Sequence, residues 1–468
     1  MRTLDAAEPG APPQTLAPAA AGRVSPGAVV LAVALPVLFL HVMYQSSAAL
    51  PFGGTFKLQD AAALAVALAA LVTALRDGVS RLRPALPVWI AALLFLGWLA
   101  LDTIVPLASS APYPWRTHLV TAAEFVEYAV LAPAVPLLVR RRADALLVLG
   151  MLVGWAAVAS AVGVLQFAGA HVFHPWPAHH RQPSFVGSHE FGGLEAAAIG
   201  VGFVGLLWHV RERRLRMLLW AAVAVGLVGF ALDASVAAIA GLVPAALVTA
   251  WVAGRRGLVS RRWIAAALAG VVAATCGVVA LRANDLDQFL RFAGLRHAEA
   301  STSRNVQTYS QRTVLAYIGF EVWLDHPVAG AGWEATLDPA TLAPVLPAAH
   351  ARFPDVAARA FPSPAHEFGI QLLYVQALSD LGVIGLALLL GVLAVPLVLG
   401  LRTALRAPPE AAAGAALGVF WLLVVLGLFL GIGLVAGIPT DALFWLSLGA
   451  VATGAAAAWA GARGTMDG

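Results

Sequence analysis

Long apolar stretches alternate with short polar ones along the chain, and the alternation predicts its elements. After a first run over 28–44, apolar runs recur at about 60–75, 86–104, 119–139, 144–170, 194–210, 218–233, 235–253, 263–281, 371–400, 411–431 and 440–461. That makes roughly twelve stretches near the length a helix needs to cross a bilayer. Asp233 and Ser235 leave room only for a tight hairpin between two of them. Residues 282–370 stand apart as one long polar interruption with no obvious fold of its own. Loops of that size are functional or disordered. The pattern predicts an all-α polytopic membrane protein: an Ala/Pro-rich disordered tail over 1–27, transmembrane helices 1–9 over 28–281, a large loop over 282–370, helices 10–12 over 371–461, and a short tail over 462–468. The run at 28–44, followed by Ser47-Ala48-Ala49, has some features of a secretory leader. It is longer than a leader core and a long tail precedes it, so an uncleaved span is expected.

Composition agrees, at 60% hydrophobic and 12% charged residues. The net charge of +4 does not point to nucleic acid, because the arginines concentrate in short loops between apolar runs. Five alternate loops hold sixteen of them (at 76–83, 140–142, 211–216, 255–262 and 402–406), whereas the opposite short loops hold only Lys57, Arg116 and Arg181. Cytoplasmic loops carry the excess of Arg and Lys, so both termini are expected in the cytoplasm and, by parity, the long interruption outside it. A single cysteine, Cys276, leaves no intrachain disulfide and no cysteine metal site.

The polar groups that invite chemistry gather on the expected outer side. The loop before the run at 194–210 contains His171, His174, His179, His180 and Arg181, then Gly187-Ser188-His189-Glu190. Imidazoles suit zinc and its neighbours. Their spacing here fits no compact metal pattern, so these histidines are expected as solvated interfacial side chains, with no metal and no cofactor. The long interruption supplies Ser310-Gln311-Arg312, then Asp325-His326-Pro327-Val328-Ala329-Gly330-Ala331-Gly332-Trp333, then Pro364-Ala365-His366-Glu367, and runs into Ser379-Asp380-Leu381-Gly382-Val383-Ile384-Gly385. His326-Pro327 with Gly330 and Gly332 reads as a turn, since proline ends a helix and glycine permits close backbone approach. Trp323 and Trp333 suit a membrane interface.

This order of motifs resembles the O-antigen ligase and polymerase family of membrane glycosyltransferases: an arginine opening a helix, an HP…GxG turn, and a histidine before a helix beginning LGxxG. The likeness covers about Arg181 to Gly385, and Ser188-His189-Glu190 departs from the asparagine-containing turn usual there. It implies a GT-C-like fold in the bacterial inner membrane and transfer of a glycan from an undecaprenyl-pyrophosphate donor to a hydroxyl of a glycan or lipid acceptor. His366 would be the general base, with Glu367 its runner-up, and Arg181 and Arg312 would hold the diphosphate. Asp380, Gly330, Gly332 and His189 would support them. A guanidinium fork matches phosphate oxygens bidentately, and a neutral imidazole near pH 7 is poised to take a proton. The rival class is a transporter or flippase. Glu124, Glu127, Asp102, Glu195, Asp233 and Asp441 fall in or near spans, where acids normally face a bundle interior or wet cavity. No inverted repeat accompanies them, and one asymmetric loop is unlike two matched halves.

Overall fold

The computed structural model describes residues 23–49, 55–106, 113–208, 212–259, 261–283, 287, 308–363, 369–433 and 438–464. The described chain is helical apart from one hairpin, in which β1 (Ser47–Ala49) pairs antiparallel with β2 (Thr55–Lys57). The first eight helices are α1 (Pro26–Leu38), α2 (Leu58–Asp77), α3 (Leu86–Ile104), α4 (Trp115–Ala129), α5 (Leu131–Leu138), α6 (Arg142–Phe167), α7 (Glu190–Leu207) and α8 (Arg213–Asp233). They are followed by α9 (Val236–Arg255), α10 (Arg261–Leu281) and α11 (Thr308–Asp325), then the short α12 (Pro339–Leu342) and α13 (Leu346–Arg352). The long helices α14 (Leu373–Arg406), α15 (Pro409–Leu428) and α16 (Pro439–Gly464) end the chain. Among the described residues, ten helical segments are long and apolar enough to cross a membrane, with α1 and residues 272–281 of α10 as shorter apolar helices. The first predicted span is thus shorter than 28–44: α1 stops at Leu38 and a 3-10 turn follows at Val42–Tyr44.

Helices α7, α15 and α16 are the most enclosed and form the centre of the bundle. Small residues let them approach closely. A Cβ on Gly427 of α15 would fall on the backbone of Gly241 in α9, so these two helices touch main chain to main chain. At one end of the bundle the arginine-rich loops meet. Arg140 pairs with Asp77, and Arg256 donates to the carbonyls of Ala404 and Ala407 at 2.8 Å each. The buried Asp144 carboxylate there accepts from the backbone N–H groups of Ser25, Arg140 and Arg141, tying α1 to the start of α6.

The polar interruption differs from its expected form as a long loop. From Thr308 to Ser363 its described residues make a small folded unit with a core of its own, built on Val314, Ile318, Val322, Ala335, Leu342 and Phe361. The four-residue spacing of Val314, Ile318 and Val322 gives α11 one buried stripe. Phe320 and Leu324 stand exposed on its other side, so apolar residues surround the helix and blur its period.

This unit docks on α14 at a break in that helix. Gly382 takes φ +68°, and residues 327–332 run alongside the break. Ala331 N–H donates to Ser379 O at 2.8 Å, Gly332 N–H to Asp380 O at 2.9 Å, and Val383 N–H to Pro327 O at 3.0 Å. The helix breaks where its hydrogen-bonding groups are given to another segment.

Candidate active site

The end of the bundle opposite the arginine-rich loops gathers the ends of α6, α8 and α10, the starts of α7, α9 and α11, and the segments 369–371 and 429–433. The hairpin between α8 and α9 is as tight as Asp233 and Ser235 suggest. Ala234 takes a left-handed conformation (φ +52°), and the Ser235 hydroxyl caps α9 by accepting from Ala238 N–H. Two glutamines order the preceding segment. Gln166 donates to the carbonyls of Val172 and Ser184, while Gln182 donates to those of Pro177 and His180 and accepts from Trp176 N–H.

Three arginines converge on this end. Arg181 stacks over Trp176, its guanidinium carbon 4.1 Å from the ring centroid. Arg282, buried at the end of α10, donates to Ala234 O at 3.3 Å. Arg312 donates to Gln371 Oε1 at 3.3 Å, and its Nη1 faces Gly431 beyond the end of α15. Arg282 thus sits at a helix C-terminal end, where cations are favoured, while the Arg312 side chain reaches from the start of α11 towards the residues that follow α15. At their centre is His189. Its Nε2 lies 2.7 Å from Arg312 Nη2, and its Nδ1 lies 3.0 Å from Ser235 Oγ. A guanidinium nitrogen only donates, so Nε2 carries the lone pair and the ring proton is on Nδ1. Burial of the ring, followed by the charges of Arg312, Arg181 and Arg282, pushes the imidazole pKa down to about 3. Asp233 is buried below them, within electrostatic reach of Arg181 and Arg282. The arrangement is a cationic cup around an uncharged histidine, suited to an anionic group with several oxygens.

A second polar network lies where the folded unit over 308–363 meets α3, α4 and α14. His118 Nε2 is 3.0 Å from Asp338 Oδ2 and its Nδ1 3.5 Å from Glu334 Oε2. The Thr121 hydroxyl donates to Glu334 Oε2 at 2.6 Å and accepts from Trp333 Nε1 at 3.0 Å. Tyr113 stacks on His118 and donates to Trp333 O at 2.7 Å. Asp380, fully buried, accepts from Thr336 N–H at 3.2 Å. Gly330, Gly332 and Asp380 belong to this junction: a Cβ at Gly330 would fall on the Asp380 carbonyl, and one at Gly332 on the Tyr113 ring.

Of the residues singled out from sequence, the structure thus brings Arg181, Arg312 and His189 to one cup and Asp380, Gly330 and Gly332 to another junction. His366 and Glu367 lie outside the described residues. His171, His174, His179 and His180 are exposed, and among the described residues no three His, Cys, Asp or Glu side chains converge as a metal-ligand set. Trp333 is not interfacial but fully buried, because its indole N–H finds Thr121 inside the junction. Asp102, Glu195, Asp233 and Asp441 are all buried in the bundle. Arg282 escaped the sequence reading of the site. Its signal was its place as the first polar residue after an apolar run, which also describes an ordinary end of a span. The His118 network left no local pattern, since its members come from three separate stretches.

Residues 221–390 match the family model described as O-antigen ligase. The match bears out the family resemblance carried by the motifs. It takes in Ser235, Arg282, Arg312, His366 and Asp380, and leaves Arg181 and His189 to its N-terminal side. No curated protein matches the chain.

Proposed function

We propose, with the O-antigen ligase character of residues 221–390 as the premise, that this membrane protein transfers a glycan from a polyprenyl-diphosphate donor to an acceptor hydroxyl in cell-surface polysaccharide synthesis. The observation that carries the reading is the convergence of Arg181, Arg282 and Arg312 on one end of the bundle. The acceptor oxygen attacks the anomeric carbon and the bond from that carbon to the diphosphate oxygen breaks, leaving an additional negative charge on the departing lipid diphosphate. Guanidinium donors already in place stabilise that charge as it develops. The acceptor hydroxyl loses its proton to His366. Gln371, which touches Arg312, is five positions on from His366, and the chain can span at most about 18 Å over that length. Attack opposite the leaving group inverts the anomeric centre. The site faces away from the cytoplasm of a bacterial inner membrane, because the arginine-rich loops lie at the other end.

The test is transfer by the purified protein in detergent, supplied with a polyprenyl-diphosphate glycan and a hydroxyl acceptor. Product should form with no ion gradient and no nucleotide. Movement of the donor lipid across vesicles without any product would instead favour a flippase.

A further inference from the structure

Away from the cup, an apolar cavity of about 100 Å³ lies between α6 and the pair α15 and α16, with residues of α1 and α5 completing its wall. Helix α6 packs on α1, α7 and α8 and stands apart from α15 and α16 across this space. The geometry points to a lipid site: one acyl chain of an anionic phospholipid fills the slot, and its phosphate meets the arginines at the mouth. The site is at the opposite end of the bundle from the cup and stands whether or not glycan is transferred.

The slot has the proportions of a chain rather than of a compact ligand. Its lining runs from Ala145 to Leu152 on α6 and from Gly414 to Trp421 on α15, about 10 Å of helix in each case. On α16 it runs from Thr453 to Leu443, about 15 Å. Helix α16 is antiparallel to α15, with Gly454 beside Gly414 and Val451 beside Gly418. Ala145, Gly414 and Thr453 therefore share one end of the slot, the arginine-rich one, and all three are half-buried. Leu35, Leu152 and Leu443 are buried deeper in. The slot is thus open beside the arginines and closed toward the middle of the bundle. Its lining holds only two polar side chains. The Thr453 hydroxyl donates to Gly449 O at 2.9 Å and Trp421 Nε1 to Ala197 O at 3.0 Å, so neither donor is left for water. Apolar cavities of this order stay dry and take apolar guests.

Charge selects the head. Arg140 follows Val139 at the mouth, and Arg142, the first residue of α6, shares a helix face with Ala145. Arg81 reaches the same place from before α3, its Nη2 donating to Val139 O at 3.4 Å. Arg141 donates to Arg23 O at 2.9 Å, and a carbonyl partner leaves the guanidinium charge uncancelled. These arginines outnumber the acids at this end, Asp77, Asp144 and Glu410. Asp77 is taken by Arg140, and the Asp144 carboxylate by backbone N–H groups. Arg141 and Arg142 are exposed, and a guanidinium fork matches phosphate oxygens bidentately. Basic pockets between spanning helices bind anionic headgroups, each arginine near the surface adding to the attraction.

The test is lipid binding to the full-length protein, stripped of lipid in detergent and followed by native mass spectrometry. The probes are phosphatidylglycerol and phosphatidylcholine with identical chains. Wild type should bind phosphatidylglycerol on the order of tenfold more tightly than phosphatidylcholine. Arg141→Gln combined with Arg142→Gln, both at the surface, should abolish that preference. Ala145→Phe and Ala450→Leu fill the slot from different helices, and each should weaken phosphatidylglycerol binding on the order of tenfold or more. Equal wild-type affinity for the two lipids, or a preference that survives the paired glutamine change, would overturn the inference. So would unchanged binding in both filled variants, or a dimer that excludes lipid. Competitive displacement of phosphatidylglycerol by a polyprenyl diphosphate would assign the slot to the donor's tail instead and also overturn it.

Discussion

At the scale of single residues, two predictions separate roles from mere presence. His189 titrates near 3 in the folded protein against an ordinary value of 6.5, so the unfolded chain takes up its proton first as pH falls. Its contribution to stability is therefore complete above pH 6.5 and shrinks as pH drops toward 3. Thermal unfolding in detergent at about pH 7.5 and about pH 5 should show a larger loss for wild type than for His189→Gln; parallel losses would contradict the buried neutral imidazole. Gly330 is the second case. Its φ of +80° and the Asp380 carbonyl beside it leave no place for a side chain. Gly330→Ala should cost at least about 1–3 kcal/mol, whereas Gly391→Ala, in open space within α14, should stay within about 1 kcal/mol of wild type, both read from unfolding midpoints. Residue types were the most legible part of the site. Arginines and histidines at the mouths of apolar runs point to a polar function, because such groups are costly near hydrocarbon. Which of them meet was hidden. Arg181, Arg282 and Arg312 lie far apart in sequence and converge only when the helix ends at this side of the bundle come together.

At the scale of elements, apolar run length was a good guide to the spanning helices and a poor one to everything beyond them. The hairpin at Asp233 and Ser235 was legible because two polar residues between apolar runs admit little else. The folded unit over Thr308 to Ser363 was not, since α11 buries Val314, Ile318 and Val322 yet exposes Phe320 and Leu324. Nor did Gln182 announce itself. A buried glutamine inside a loop is unremarkable in sequence, yet here its side chain hydrogen-bonds the backbone of Trp176, Pro177 and His180 and so folds the segment carrying Arg181. Gln182→Leu fills the space but leaves those backbone groups without partners, a net cost of about 1 kcal/mol or more for each. Hydrogen–deuterium exchange should accelerate across 171–187 and not within α7 or α8, with transfer reduced. Unchanged exchange in that segment would show that the glutamine does not organise it.

At the scale of the whole molecule, charge divides the bundle. One end carries the arginine-rich loops, and the other carries the cup and the folded unit over 308–363. In a cysteine-free Cys276→Ser background, Ala340→Cys should react with an impermeant maleimide in spheroplasts and Gly257→Cys should not; the reverse pattern would invert the orientation. Cys276 is exposed on apolar α10, so replacing it should leave folding intact. The central claim is that the cup holds a lipid diphosphate by the fork geometry of its arginines. Lysine keeps the charge of arginine but not the fork. The most direct measurement is therefore the equilibrium affinity of full-length protein for a polyprenyl diphosphate, compared among wild type, Arg312→Lys and Arg282→Lys with expression and folding matched. Affinity should fall on the order of tenfold or more in each lysine variant. Wild-type affinity in both would contradict the account.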